Sequence, residues 1–128
     1  MLFRTLAAVP LVSLSLAGCG SGDSGSGSDV TLPAGAVAVT AIEGIAWDAP
    51  SYAATSVDGK VPLVVKNASS LPHNLHLIDS ESVDVGFSLE VNGRNDVDST
   101  TVALAPGTYK LICTISGHGN MKADLIVK

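Results

Sequence analysis

Cys113, His118 and Met121 lie within nine residues near the C-terminal end of the chain. A thiolate, an imidazole and a thioether are ligands for soft and borderline metal ions. The two remaining histidines, His73 and His76, lie three positions apart upstream. This concentration of metal-binding side chains predicts a metal site rather than ordinary packing.

The phase of the upstream strand separates the two histidines at positions 73 and 76. Alternate residues from Leu71 to Leu77 share one face of a predicted strand, and that face is apolar except for His73. His76 lies on the opposite face and is expected to be solvated. We therefore expect His73 to be the ligand, with His76 as the alternative.

The downstream strand places Cys113 in an equivalent position. Tyr109 and Cys113 belong to one row of alternate residues, so Cys113 ends an inward-facing row as His73 does. His118 and Met121 follow on the adjoining loop. Two neighbouring strands and one loop would then bring four donors to one end of the fold.

The four donors favour one copper ion. Two imidazoles and one thiolate suit a trigonal plane, and a thioether suits a weak axial position; zinc gains little from a thioether, and hard cations prefer oxygen. The predicted ligands are His73, Cys113, His118 and Met121. Singly, a buried cysteine is a small hydrophobe and a methionine fills gaps in a core, but the joint spacing favours the metal site.

Short strands separated by turns indicate an all-β fold. About seven or eight strands in about a hundred residues predict an antiparallel β-sandwich of two sheets. Residues 82–98 have a weak pattern, compatible with a short helix, an irregular strand or a long loop. Tyr109, two residues after Pro106-Gly107, predicts a tyrosine corner. The predicted strands are 36–42, 45–47, 52–56, 61–67, 71–79, 100–104, 108–114 and 122–128.

The N-terminal segment predicts export and anchoring. Residues 1–18 have one positive charge, an apolar run and small residues before Cys19, as in a secretory signal peptide. Leu16-Ala17-Gly18-Cys19 resembles the lipobox of bacterial lipoproteins, which implies a lipidated Cys19 and an extracytoplasmic protein tethered to a membrane. The alternative is an ordinary signal peptide with a free Cys19. Residues 19–31 then form a Gly/Ser-rich tether, and residues 32–128 form the folded domain.

The charge of the chain limits its partners. A formal net charge of −5 provides no basic footprint for nucleic acid. Between positions 79 and 98 only one base, Arg94, occurs among several acids, and this acidic span is either a solvated loop or a docking patch for a basic partner. The acids are Asp79, Glu81, Asp84, Glu90, Asp96 and Asp98.

Two motifs carry a family resemblance. Pro72-His73-Asn74, together with Cys113-x4-His118-x2-Met121 after Pro106-Gly107-Thr108-Tyr109, resembles the signatures of cupredoxins, the plastocyanin and azurin family of electron-transfer proteins. The resemblance covers about residues 37–128 and implies a Greek-key sandwich. The spacing before His118 resembles azurin loops, whereas the spacing after it resembles the shorter amicyanin loops.

The resemblance also implies roles for individual residues. His73, Cys113, His118 and Met121 match the four ligands of one type 1 copper ion. Asn74 matches the asparagine that hydrogen-bonds to the segment after the cysteine, here Thr114. His118 would present its outer edge in an apolar patch through which electrons leave.

We therefore expect a monomeric electron carrier that exchanges single electrons with redox proteins, such as a cytochrome or a terminal oxidase or reductase. We do not expect an enzyme: all three histidines lie in the two motifs, so none remains for a type 2 copper site, and one mature-domain cysteine excludes a binuclear copper A centre. The alternatives are a lipoprotein that delivers copper to an extracytoplasmic enzyme, and a metal-free β-sandwich interaction module.

Overall fold

The computed structural model describes residues 32–128, which form nine β-strands in two sheets, joined by turns and loops. The predicted signal peptide, Cys19 and the tether lie outside these residues. Within residues 32–128, no helix is long and apolar enough to cross a membrane. The strands are β1 (Val37–Ile42), β2 (Ala46–Trp47), β3 (Ser51–Ala54), β4 (Lys60–Asn67), β5 (His73–Ile78), β6 (Leu89–Val91), β7 (Val97–Ala103), β8 (Gly107–Ile112) and β9 (Lys122–Val127).

The core lies between a four-stranded sheet, ordered β2-β1-β4-β7, and a five-stranded sheet, ordered β3-β9-β8-β5-β6. Alternate residues of the strands face inward because successive side chains point to opposite faces. In β5 this alternation buries His73, Leu75 and Leu77 and leaves the residues between them partly exposed. The β-sandwich predicted from the sequence is confirmed.

Two features of the topology differ from the prediction. The strands number nine within the described residues, and β1 pairs with β4, and β3 with β9, in parallel. The chain leaves the first sheet after β2, forms β3 in the second sheet and returns as β4, so β1 and β4 run in the same direction. A connection through the other sheet replaces the tight hairpin that an antiparallel pair would use.

Strand β5 begins at His73, two residues after the start of the predicted strand 71–79. Leu71, placed on the core face by alternation, lies before β5 and is 41% exposed. Its carbonyl accepts a hydrogen bond from the Asn67 side chain, so this residue belongs to the connection between the sheets. Strand β7, in contrast, begins at Val97, three residues before its predicted start.

The segment between β5 and β7 is a long connection that contains one short strand, β6. Aspartates organise its turns: Asp79 accepts from the Glu81 and Val83 amides, and Asp84 accepts from the amide of Gly86. Asx turns of this kind replace regular pairing with local hydrogen bonds. Part of the acidic span therefore shapes its own backbone.

The predicted tyrosine corner is confirmed. The Tyr109 hydroxyl donates a hydrogen bond of 2.8 Å to the carbonyl of Ala105. This contact joins the start of β8 to the turn that precedes it. Strand β8 then leads directly to Cys113.

Candidate metal centre

His73 is the first residue of β5 and faces the core. Its side chain is 1% exposed and shares the inner row with Leu75 and Leu77. His76 lies on the opposite face, where its Nδ1 is 2.8 Å from Asp84 Oδ2. The structure thus separates the two upstream histidines as the strand phase predicts.

Cys113 follows the last residue of β8 and begins the loop to β9. It is 6% exposed and forms no disulfide in the part of the chain that the structure describes. Its amide donates to the carbonyl of Met121, and the Met121 amide donates to the carbonyl of His118. These backbone hydrogen bonds fold the loop back on itself. Gly117 has a φ of +86°, a left-handed conformation that favours glycine immediately before His118.

The loop and the two strands bring three donors together. The ligand atoms of His73, Cys113 and His118 all lie within 4.8 Å of one another. Cys113 Sγ is 3.6 Å from His118 Nδ1, and the two imidazole ring centroids are 4.9 Å apart. Met121, at the end of the same loop, is 1% exposed.

The state of His73 fits a bound metal. Its Nδ1 is buried and has no hydrogen-bond partner among the described residues, whereas its Nε2 lies 2.6 Å from Ser69 Oγ. An unpaired buried nitrogen is costly unless something binds it. Burial, and then the charge that His118 would carry, lower the pKa of His73 and favour the neutral imidazole that binds metals.

The donor set selects among metals. Imidazole suits copper, zinc and iron, thiolate favours copper and zinc, and a trigonal His₂Cys arrangement is typical of copper sites with a weak axial ligand. Within residues 32–128 the cluster contains no carboxylate, which argues against hard cations. The residues present therefore fit one copper ion.

Asn74 connects the two halves of the site. Its Nδ2 donates to Thr114 Oγ1 at 2.8 Å, and its Oδ1 accepts from the Thr114 amide at 2.7 Å. Asn74 follows His73, and Thr114 follows Cys113. The pair joins the chain beside one cluster residue to the chain beside another, where the family resemblance implies such a bridge.

Sequence reasoning missed three buried neighbours of His73. Asn67 and Ser69 are each 1% exposed, and Ser69 contacts the imidazole directly. The ring of Trp47 has its centroid 6.4 Å from that of His73. No spacing in the sequence connects these residues to the histidine, because they approach it from the opposite sheet and from the connection between the sheets.

Comparisons with known proteins identify related folds. No family model matches the chain, and no curated protein matches it. Among solved structures, the chain is similar to auracyanin A, a "blue" copper protein from the green thermophilic photosynthetic bacterium Chloroflexus aurantiacus, with a TM-score of 0.61 and 24% identity over 73% of this chain and 98% of that one. It is also similar to auracyanin B, with a TM-score of 0.57 and 25% identity over 81% of this chain and 96% of that one.

The fold and the cluster are consistent with one another. The two-sheet sandwich matches that of the auracyanins, and His73, Cys113 and His118 converge at one end of it. The donor set of this cluster fits copper, and auracyanin A is itself a "blue" copper protein. The chain has a cupredoxin-like β-sandwich fold, and its His-Cys-His cluster is suited to one copper ion.

Proposed function

We propose that this protein is an extracytoplasmic, membrane-tethered electron carrier with one mononuclear type 1 copper site. The observation that carries the proposal is the buried cluster of His73, Cys113 and His118, whose ligand atoms lie within 4.8 Å of one another. A copper ion bound there would supply a one-electron Cu(I)/Cu(II) couple. No bond to a substrate would be made, so the protein would not be an enzyme.

The copper ion would be held by the imidazoles of His73 and His118, the thiolate of Cys113 and the thioether of Met121. Burial of Met121 to 1% exposure supports this assignment, as does its place in the loop that also carries His118. Its thioether would complete the donor set that copper accepts in such sites. The mixed loop spacing would make the contribution of Met121 the part of the site most specific to this chain.

The site suits electron transfer because the chain holds its ligands by contacts that do not need a metal. Ser69 contacts His73, and Asn74 bridges to Thr114 beside Cys113. Partners of this kind fix the orientation of ligands. A site that is already arranged changes little between two oxidation states, and this keeps the barrier to electron transfer low.

Electrons would leave through His118. Its side chain is 7% exposed and lies between Gly117 and Gly119, both at the surface.

The protein would act as a monomer, and its partners would be redox proteins, such as a cytochrome or a terminal oxidase or reductase. If the acidic span docks a basic cytochrome, the rate of electron transfer falls as ionic strength rises. A rate that does not respond to salt would assign those carboxylates to solubility and to the turns.

The anchor is a separate part of the proposal. Lipidation of Cys19 would hold residues 32–128 near a membrane through a tether of residues 19–31, whose Gly/Ser-rich composition is typical of flexible linkers. Labelling cells with palmitate tests it: the wild-type chain incorporates label, and Cys19→Ser does not. An unlabelled wild-type protein that stays in the soluble extracytoplasmic fraction would refute the anchor and leave the copper site untouched.

The test of function is the behaviour of the copper-loaded protein at an electrode and with a chelator. An electron carrier gives a reversible one-electron wave and loses copper slowly to a modest chelator. Rapid loss to the chelator would instead assign the protein to copper delivery. Absence of any wave and of any bound copper would leave the metal-free interaction module.

A further inference from the structure

We infer that Ser69, oriented by Asn67, is a positioning residue that selects the tautomer of His73 and aims its Nδ1 at the metal. The inference deepens the proposed function and rests on it, because it concerns how the chain prepares one ligand. The three side chains form a continuous buried chain, each 1% exposed. Ser69 Oγ lies 2.6 Å from His73 Nε2 and 2.9 Å from Asn67 Oδ1.

The orientation of the Asn67 amide is determined by two backbone groups. Its Oδ1 accepts from the Ser69 amide at 3.0 Å, and its Nδ2 donates to the carbonyl of Leu71 at 2.8 Å. An amide N–H can only donate, and a carbonyl can only accept. Rotation of the Asn67 side chain by half a turn would break both hydrogen bonds, so its oxygen must face Ser69.

The Asn67 oxygen in turn determines where the Ser69 hydroxyl proton lies. Two acceptors surround Ser69 Oγ: Asn67 Oδ1 at 2.9 Å and the carbonyl of Leu71 at 3.2 Å. A hydroxyl has one proton to donate. Donation to His73 would leave the hydroxyl oxygen within hydrogen-bond distance of these two acceptor oxygens with no proton between them, which is unfavourable in a buried site. The proton therefore points to Asn67 or Leu71, and the hydroxyl accepts from His73 Nε2–H.

This assignment explains the unpaired nitrogen of the imidazole. With the proton on Nε2, the neutral ring has its lone pair on Nδ1, the buried atom that has no partner among the described residues. The opposite tautomer would instead leave an N–H at Nδ1 buried without an acceptor among the described residues. The buried chain of Asn67, Ser69 and His73, which we call the relay, thus prepares His73 as a ligand before any metal binds.

Contacts on both sides hold the relay in place. The backbone amide of Asn67 donates to the backbone carbonyl of Asp96, and the backbone carbonyl of Asn67 accepts from the backbone amide of Asn95. Next to Ser69, the Ser70 amide donates to Glu43, which is paired with Arg94. Asn67 ends β4 in one sheet and His73 begins β5 in the other, so the relay carries the geometry of the first sheet to a residue of the second.

Ser69→Ala tests the inference, with Ser70→Ala as the matched control, because Ser70 is exposed and its backbone amide, which the substitution keeps, donates to Glu43. The first measurement is ¹⁵N NMR of the histidine rings in the copper-free full chain. Wild type and Ser70→Ala show a protonated Nε2 and a bare Nδ1 at His73. Ser69→Ala shows mixed tautomers, and Ser69→Thr, which keeps the hydroxyl, restores the single tautomer. The same spectra report whether each variant is folded.

The second measurement is copper affinity, followed by the fluorescence of Trp47, the only tryptophan of the chain. Loss of an outer partner of a metal-binding histidine lowers affinity by about 10–100-fold. We expect that loss for Ser69→Ala and less than a twofold change for Ser70→Ala. A wild-type His73 protonated on Nδ1, or a folded Ser69→Ala that keeps both the tautomer and the affinity, would overturn the inference. Failure of wild type to give a thiolate-to-copper band would refute the proposed function instead, while the tautomer in the copper-free chain would still decide the inference.

Discussion

Replacement of Asn74 by alanine tests whether the bridge between the two halves of the site contributes to stability without a metal. Asn74→Ala removes both hydrogen bonds to Thr114. A typical intramolecular hydrogen bond contributes about 0.5–1.5 kcal/mol net. Thr114 is exposed, so water partly replaces what is lost. We therefore expect the free energy of unfolding to fall by about 1–2 kcal/mol. For a domain of about a hundred residues this lowers Tm by roughly 5–15 °C.

The assay is denaturant unfolding of the copper-free protein, with Thr114→Val as the graded control. That variant removes the hydroxyl but keeps the amide that donates to Asn74 Oδ1, so it loses about half as much. An Asn74→Ala protein within about 0.3 kcal/mol of wild type, below the usual net value of one hydrogen bond, would refute the reasoning. Destabilisation seen only after copper is added would show that the metal, and not the chain, forms the bridge.

Three further predictions follow from the structure. Met121→Leu keeps copper bound but raises the reduction potential, because a weak donor that favours Cu(II) is removed; an unchanged voltammetric midpoint would show that Met121 does not reach the metal. Tyr109→Phe loses the hydrogen bond to Ala105 and destabilises the protein by about 1 kcal/mol in thermal unfolding; equal stability would remove any stabilising role from the tyrosine corner. Burial lowers the pKa of His73 in the folded protein, so the unfolded chain binds the proton more readily and stability falls as pH drops below the ordinary histidine pKa of 6.5; a copper-free His73→Gln variant loses that part of the pH dependence, and an unchanged slope would refute it.

Much of the site was predictable because strand alternation has a strict period of two. The apolar row that contains His73 distinguishes it from His76, and the row that ends at Cys113 gives the thiolate its inward direction. The structure separates the histidines accordingly and brings His73, Cys113 and His118 together. Local pattern was sufficient here because each side chain is oriented by its own strand.

The parts that were not predictable depend on contacts between distant segments. The parallel pairing of β1 with β4 arises because the chain crosses to the other sheet between them, and no residue pattern within either strand records that crossing. The turns after β5 are held by aspartates whose partners are backbone amides, which any sequence could supply. Ser69 meets His73 only when the connection between the sheets has folded.

The most direct test of the central claim is the visible and EPR spectrum of the purified protein after one equivalent of Cu(II) is added. The account predicts an intense thiolate-to-copper absorption in the visible and the EPR signal of a single mononuclear Cu(II). Cys113→Ser abolishes the visible band because its thiolate is lost, and His76→Gln, on the other face of β5, retains it. Wild-type protein that binds Cu(II) without the intense band, or a band that persists in Cys113→Ser, would contradict the account.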